Sequence, residues 1–366
     1  MLFLIFICLI ILSIIRPKSK KIFYVILLFM WFTAAFCTEC ADRSIYMARY
    51  SNYLSFSSTT EVGFNFLMFV FNKIGLTFDQ FLMIAYAFIF GIYGWFIKKN
   101  TDRLAFVAGM YLIFSFCIDT VQLRNSIGFA ITLIGVNELY KDKMDKKSYI
   151  RFVAFVLLGS LFHFSNIFFL ILLLGTRYNI KKNAIITAVS SVILLLLSKS
   201  NLVVNIGYSF VGSRINEILG RVNEYTNHQI NSMLLCMIIS LLLIILCLYL
   251  AYRNTKIAKK MNIDDGVRKF TFIEKTINYQ TLLFITIFMI PIIPDVYRIQ
   301  RYGLLLGYLG CSDYKVIGCK KKLFDSRLYY LFFVIVVLLL FYLQIYKLGN
   351  IESTFEALMN NNKFIN

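Results

Sequence analysis

The chain is expected to be an all-α polytopic membrane protein with about ten transmembrane helices plus short re-entrant elements. Three observations carry that expectation. Hydrophobic residues make up 59% of the 366 residues and aromatics 17%, with a mean hydropathy of +0.73; soluble domains hold about 45–50% apolar residues. Apolar runs of bilayer-spanning length recur from one end to the other, and a helix is the element that satisfies its own backbone in hydrocarbon. The third observation is where the charge falls. The net charge is +19, yet 27 of the 38 lysines and arginines sit in basic loops near 16–21, 98–103, 140–151, 177–182, 253–275 and 315–327. These loops alternate with loops that carry few, which is the positive-inside pattern of a membrane protein. A nucleic-acid binder gathers its charge on one face, so no nucleic-acid partner is expected.

With the basic loops inside, the amino terminus begins outside and helices follow at about 2–15, 22–37, 80–97, 104–118, 121–139, 184–198, 232–252, 277–293, 295–314 and 328–346. The first run has no charged segment before it and no small-residue cleavage site after it, so it is expected to remain as a helix. Residues 1–366 form one expected integral membrane domain, with no internal repeat and three prolines. The outer loops are about 38–62 and 199–230, followed by a polar tail from Gly349. The second loop alternates apolar and polar residues well enough to lie as an amphipathic helix on the surface.

Two apolar pieces do not fit as full spans. The segment 64–74 is too short and runs into Gly75 and Asp79. The segment 150–174 has basic loops at both ends, so it is expected to enter and return on one side, with His163 at its midpoint. Arms of about twelve residues reach roughly 18 Å, short of the roughly 30 Å hydrocarbon core. A turn at that depth is tolerated against protein or a water-filled cavity, and Ser160 and Ser165 suit such a place. The alternative is one long tilted helix around a hydrogen-bonded core histidine.

Ionisable groups within or beside spans are costly and therefore default site candidates. Arg124 is expected about one turn into a helix capped by Asp119. A cation there opposes the helix dipole and calls for an anion, or else for a local pair with Asp119 or snorkelling to the interface. Asp295, Arg298 and Arg301 follow Pro294 at three-residue spacing on one face. Two guanidiniums on one stripe would clamp a diphosphate; the alternative is interface anchoring together with Tyr297 and Tyr302. In the first outer loop Glu39, Asp42 and Glu61 are the carboxylates, each a general-base candidate or simply solvated. Asp264 and Asp265 form an inner-side turn. Most of the eight cysteines, among them Cys8, Cys117, Cys236 and Cys247, lie in apolar helices as small hydrophobes. Cys37 and Cys40 form a CxxC, expected to be incidental because no second pair accompanies it, with a redox pair or disulfide as the alternative. No zinc set, P-loop or GxGxxG is present.

The order D(x3)Y at Asp42–Tyr46, EVGF from Glu61, RNSIGFAI from Arg124, LFHFSNI around His163 and RIQRY from Arg298 resembles the EpsG family. These are bacterial membrane proteins grouped with Wzy-type polymerases of capsule, exopolysaccharide and O-antigen repeat units. The resemblance is densest from 121 to 172. The chain departs from the family in having "CTEC" where an arginine usually precedes the loop aspartate, and Gly159 where alanine is usual, a change expected to be harmless. The resemblance implies a multi-pass glycosyltransferase of the bacterial plasma membrane, acting without metal or other cofactor. Its donor would be an oligosaccharide on polyprenyl (undecaprenyl) diphosphate and its acceptor a lipid-linked repeat unit, both at the outer face. A chain-length regulator and a flippase are the implied partners. His163, Asp42 and Glu61 are then the catalytic candidates, Arg124, Arg298 and Arg301 the diphosphate ligands, and Tyr46, Asp119 and Asp295 substrate-binding residues, with Tyr50, Tyr53 and Tyr208 on an aromatic rim. A membrane O-acyltransferase would place its histidine toward the cytosol. A flippase or transporter would show pseudo-symmetric repeats.

Overall fold

Each of the ten expected segments is helical over most of its described residues, but the ends and breaks of these helices differ from the expectation in ways that place the site. The computed structural model describes residues 1–52, 61–141, 143–198, 227–291, 296–323 and 325–365. The amphipathic stretch from 199, Asp295, Tyr53 and Tyr208 lie outside the described residues. The chain divides into two compact units, one of residues 1–167 and 337–366, the other of residues 168–336.

The first unit begins with α1 (Leu2–Ile15), α2 (Lys20–Ala35), α3 (Arg43–Ser51), α4 (Val62–Lys73) and α5 (Phe78–Asn100). It continues through α6 (Leu104–Ile113), α7 (Ser115–Val121), α8 (Leu123–Leu139) and α9 (Lys146–Ser160). Local signals set several starts. Ser19 accepts from the Ile22 N–H at the head of α2, and Asp145 accepts from Ser148 at the head of α9. Thr77 and Gln80 form a reciprocal capping box at α5. Each satisfies a backbone group that the first turn leaves orphaned. Helices α6 and α7 bury every residue, and α8 nearly so, so these three form the centre of the unit. Glycines let α8 and α9 approach: a Cβ on Gly159 would lie 2.5 Å from the Gly128 carbonyl oxygen and 2.4 Å from Thr132 Oγ1. The replacement of alanine by Gly159 is therefore a packing requirement and not a harmless change.

The second unit holds α10 (Leu172–Arg177), α11 (Ile180–Ser198), α12 (Asn227–Lys260), α13 (Asp264–Ile287), α14 (Tyr297–Ser312) and most of α15 (Ser326–Phe341). Helix α13 packs on α11, α12 and α14. It begins thirteen residues earlier than expected because Asp264 and Asp265 complement its N-terminal dipole, so these residues open a helix and do not form a loop turn. Asn183 and Asn278 join α11 to α13 at 2.6 Å. On α11, Ile185, Val189, Val192 and Leu196 are exposed along one face. A contiguous apolar stripe of this kind belongs against lipid.

Four helices among the described residues are long and apolar enough to cross a membrane: Phe78–Asn100, Ile180–Leu197, Gln229–Lys260 and Ser326–Tyr346. A fifth is reached if α6 and α7, bent by 61°, count as one span. The expected ten are not reached on this criterion, for physical reasons. Helices α1, α2, α8 and α14 have 14, 16, 17 and 16 residues, at most about 26 Å at 1.5 Å per residue. The first half of α13 is charged. The expected helix 104–118 breaks at Phe114 and resumes to Val121.

The expected break near His163 is present. Helix α9 ends at Ser160, and after Leu161–His163 the chain continues as a 3₁₀ segment, Phe164–Ile171. The Leu161 carbonyl oxygen, freed by the break, accepts from the Gly63 N–H at 2.9 Å, which pins the start of α4 to this turn.

Replacing Gly159 or Gly128 by alanine is expected to lower the melting temperature of the detergent-solubilised protein, at a cost of about 1–3 kcal/mol from overpacking. Gly91→Ala, on an open face of α5, is the matched control and is expected to leave stability unchanged or improve it by about 0.5–1 kcal/mol.

Candidate functional site

A carboxylate shared by two guanidiniums forms the polar centre of the first unit. Glu61 stands at the N-cap position of α4 and is 7% exposed. Its Oε2 accepts from Arg124 Nη1 and from Arg49 Nη1 at 3.3 Å. Arg124 is the second residue of α8, where the helix dipole opposes a cation. Glu61 is the anion that its position called for. The other edge of Arg124 meets Tyr46: Nε donates to the phenol oxygen at 3.4 Å, and the guanidinium lies 5.5 Å from the ring centroid. Tyr46 is itself buried edge-on against Phe64 of α4, with centroids 5.7 Å apart.

The remaining valences define what this cluster can do. Among the described residues, one carboxylate oxygen and one guanidinium nitrogen of the pair, Glu61 Oε1 and Arg124 Nη2, make no hydrogen bond.

His163 lies at the adjoining turn and is buried. Its Nδ1 accepts the backbone N–H of Ser165 at 3.3 Å and lies 2.7 Å from Ser165 Oγ. An N–H can only donate, so Nδ1 is the unprotonated nitrogen and Nε2 carries the proton. Nε2 is therefore the donor nitrogen of the ring. Next to it, Asn166 Nδ2 donates to Asn125 Oδ1 at 3.2 Å, joining the turn to the residue after Arg124.

Asp119 behaves differently from the expectation. It lies within α7 and is not the cap of α8; that position belongs to Gln122, which provides no side-chain cap. Its carboxylate accepts from Tyr111 Oη at 2.8 Å, and its backbone oxygen accepts from Ser126 Oγ at 2.5 Å. Asp119 thus braces the α7–α8 joint, and Arg124 pairs with Glu61 instead. Asp42 precedes α3 with a left-handed backbone, φ 56°. Among the described residues its carboxylate joins neither Glu61 nor Arg124; it shares the cluster's neighbourhood only through α3, one turn before Tyr46.

In the second unit, Arg298 and Arg301 occupy the first two turns of α14. Arg301 is fully buried, with its guanidinium 5.5 Å from the ring centroids of both Tyr297 and Tyr302. A side chain with no exposure does not snorkel, so interface anchoring does not explain Arg301 or the equally buried Tyr302. Gln300, between the two arginines, is buried with neither end of its amide hydrogen-bonded, and Gln280 on α13 donates to the Gly303 carbonyl at 2.5 Å.

The sequence reading missed Arg49, Asn125, Asn166 and Gln300. Arg49 was within reach, since it follows Tyr46 by three residues and so shares its helix face. The amides carried no signal, because a single polar residue in an apolar run reads equally well as packing. Among the described residues no three His, Cys, Asp or Glu side chains cluster as a metal site would require.

Helices with lipid-suited faces around buried, paired charge define a helical membrane protein with an internal polar site. The EpsG family model matches residues 20–355, nearly the whole chain, and the protein belongs to that family, a Wzy-type polymerase family. No curated protein and no solved structure matches the chain.

Removing Glu61 leaves two half-buried guanidiniums without their anion. Glu61→Gln is expected to destabilise the protein by about 3–5 kcal/mol, read as a loss of thermal stability in detergent. The double variant Glu61→Gln, Arg124→Gln should recover part of that loss; strictly additive losses would show that the two residues are not coupled.

Proposed function

We propose that the protein is a polysaccharide polymerase: a metal-independent, GT-C-like glycosyltransferase of the bacterial plasma membrane that joins lipid-linked oligosaccharide repeat units at the outer face. The family assignment gives the general class, a membrane protein of polysaccharide biosynthesis. The observation that carries the finer reading is the Arg49–Glu61–Arg124 charge cluster, joined to the His163 turn through the Gly63 N–H and the Leu161 carbonyl.

In this reading the acceptor hydroxyl oxygen attacks the anomeric carbon of the donor glycan. Its proton passes to Glu61 Oε1, and the bond from the anomeric carbon to the diphosphate oxygen breaks. The electron pair leaves with the polyprenyl diphosphate. Arg124 Nη2 and the His163 Nε2–H donate to oxygens that gain charge in that step. Arg298 and Arg301 are assigned to a diphosphate, since a buried cation on a helix N-terminal turn suits an anion. Tyr46 steadies Arg124 at the substrate side, Asp119 holds the joint that aims Arg124, and Asp42 is the secondary carboxylate. Asp295 keeps its assignment as a substrate contact. The ten-crossing topology, the single membrane domain, and the chain-length regulator and flippase as partners belong to this same reading.

The test is polymer length by gel in a deletion strain complemented with wild type, Glu61→Gln, Arg124→Ala or His163→Ala at matched membrane abundance. Each variant is expected to lose the high-mass ladder while single repeat units are still exported, with turnover reduced about 10²-fold or more. His163→Gln, which keeps a side-chain donor, should retain part of the ladder. Normal polymer from Arg124→Ala and His163→Ala would overturn the assignment.

A further inference from the structure

The CxxC at Cys37 and Cys40 is not absorbed by the site above, and three features set it apart from the cysteines in apolar helices. First, α2 ends at Ala35, two residues earlier than expected, so both thiols stand outside the helix. The chain bends at Thr38 and Glu39, and this bend turns the Cys40 thiol back to hydrogen-bond with that of Cys37. Both cysteines are present as free thiols.

Second, the C-terminal segment fastens this bend on both sides. The Thr38 N–H donates to Asn361 O at 2.8 Å, Lys363 N–H to Phe36 O at 2.9 Å, and Ala41 N–H to Ser353 O at 3.2 Å. Cys37 Sγ also donates to Ala357 O at 3.6 Å. The backbone that holds the two sulfurs together is thus fixed from outside, which reduces the conformational entropy lost on linking them.

Third, access is one-sided. A cleft of about 470 Å³ opens beside the bend, lined by Glu39, Cys40, Arg43, Ser44, Met47 and Glu352 among others. Cys40 lines this cleft and is half-buried, whereas Cys37 is fully buried. The Cys37 thiol is lowered from its ordinary value, chiefly by the hydrogen bond from Cys40, and Cys40 is raised by the same bond and by burial. The Arg43 guanidinium favours the thiolate at both sulfurs. A shared proton and a neighbouring cation are what make CxxC pairs reactive.

From this arrangement we infer that Cys37 and Cys40 form a redox-active dithiol, closed to a disulfide by thiol–disulfide exchange with a disulfide-bearing oxidant that enters the cleft. The step balances without another reactant. Cys40 Sγ attacks one sulfur of the oxidant as its proton passes to the Cys37 thiolate, and displaces the other sulfur as a thiolate, leaving a mixed disulfide. Cys37 Sγ, having given up its proton, then attacks Cys40 Sγ and expels the remaining sulfur. Two protein thiols are oxidised, and the oxidant disulfide is reduced to two thiols. The inference is independent of the polymerase reading, because no group of the Glu61 cluster takes part.

The experiment uses the full chain in detergent with oxidised glutathione as the probe. After acid quench and unfolding, free thiols are alkylated and assigned by peptide mass. Wild type is expected to lose two of its eight alkylatable thiols, with Cys37 and Cys40 joined within one peptide. Cys37→Ser should stop at a glutathione adduct on Cys40, since the resolving sulfur is gone; Cys37→Ala serves if the serine variant elutes as aggregate. Cys40→Ser should leave Cys37 alkylatable. Retention of all eight thiols by wild type, a glutathione adduct on wild-type Cys40 that never closes, or losses at other cysteines would each overturn the inference.

Discussion

The first unit depends on one shared counter-ion. Moving a guanidinium out of water costs several kcal/mol, and the cost is recovered only against a well-placed anion. Glu61 serves two such cations at once. Arg49 belongs to α3, Glu61 opens α4 and Arg124 opens α8, so one carboxylate fixes three chain segments that approach from different parts of the sequence. Neither α3 nor α4 is held strongly by burial: α3 buries only Tyr46 and Tyr50, and α4 only Phe64 and Met68. Their positions rest on the charges together with the packing of Tyr50, Phe64 and Phe71 on Phe81.

Helix breaks supply the rest of the site. A continuous helix hides its carbonyls, whereas the interruptions at Phe114, Gln122 and Leu161–His163 bring polar backbone into the centre of an apolar unit. At the last of these, the freed carbonyls are used. The Leu161 oxygen takes the Gly63 N–H, and the His163 oxygen takes Asn166 Nδ2 at 3.1 Å. The close approach of Gly128 and Gly159 brings the α8 polar face near this turn. Small residues, breaks and buried charge thus act as one device for holding functional groups away from bulk water.

Much of this was legible in the sequence, and the illegible part has a physical pattern. Apolar runs revealed where helices form, because burial and lipid contact both select them. They did not reveal where helices stop: no proline or glycine lies within four residues of Phe114, so the bend there has no local signature. Arg124 could be read as a cation in need of an anion, but its partner lies 63 residues away, and a long-range pairing leaves no trace in spacing. Asp119 was misread for a related reason. An acid just before a helix resembles a cap, and only the fold shows that Tyr111 holds it. The break at His163 was foreseen from the basic loops on either side, whereas the tautomer of its ring required Ser165 in place.

The C-terminal residues 337–366 pack within the same unit as residues 1–167, and this has a consequence for synthesis. The intervening 168–336 is, in topological terms, an insertion into the first unit. A ribosome adding about 5–20 residues per second must emit that whole insertion before the strand-like partner of Cys37, at Asn362, exists. During that interval the nascent chain carries the edge at 36–41 without its C-terminal partner. Circular permutants opened between the two units would bring the halves of the first unit together early and shorten the wait.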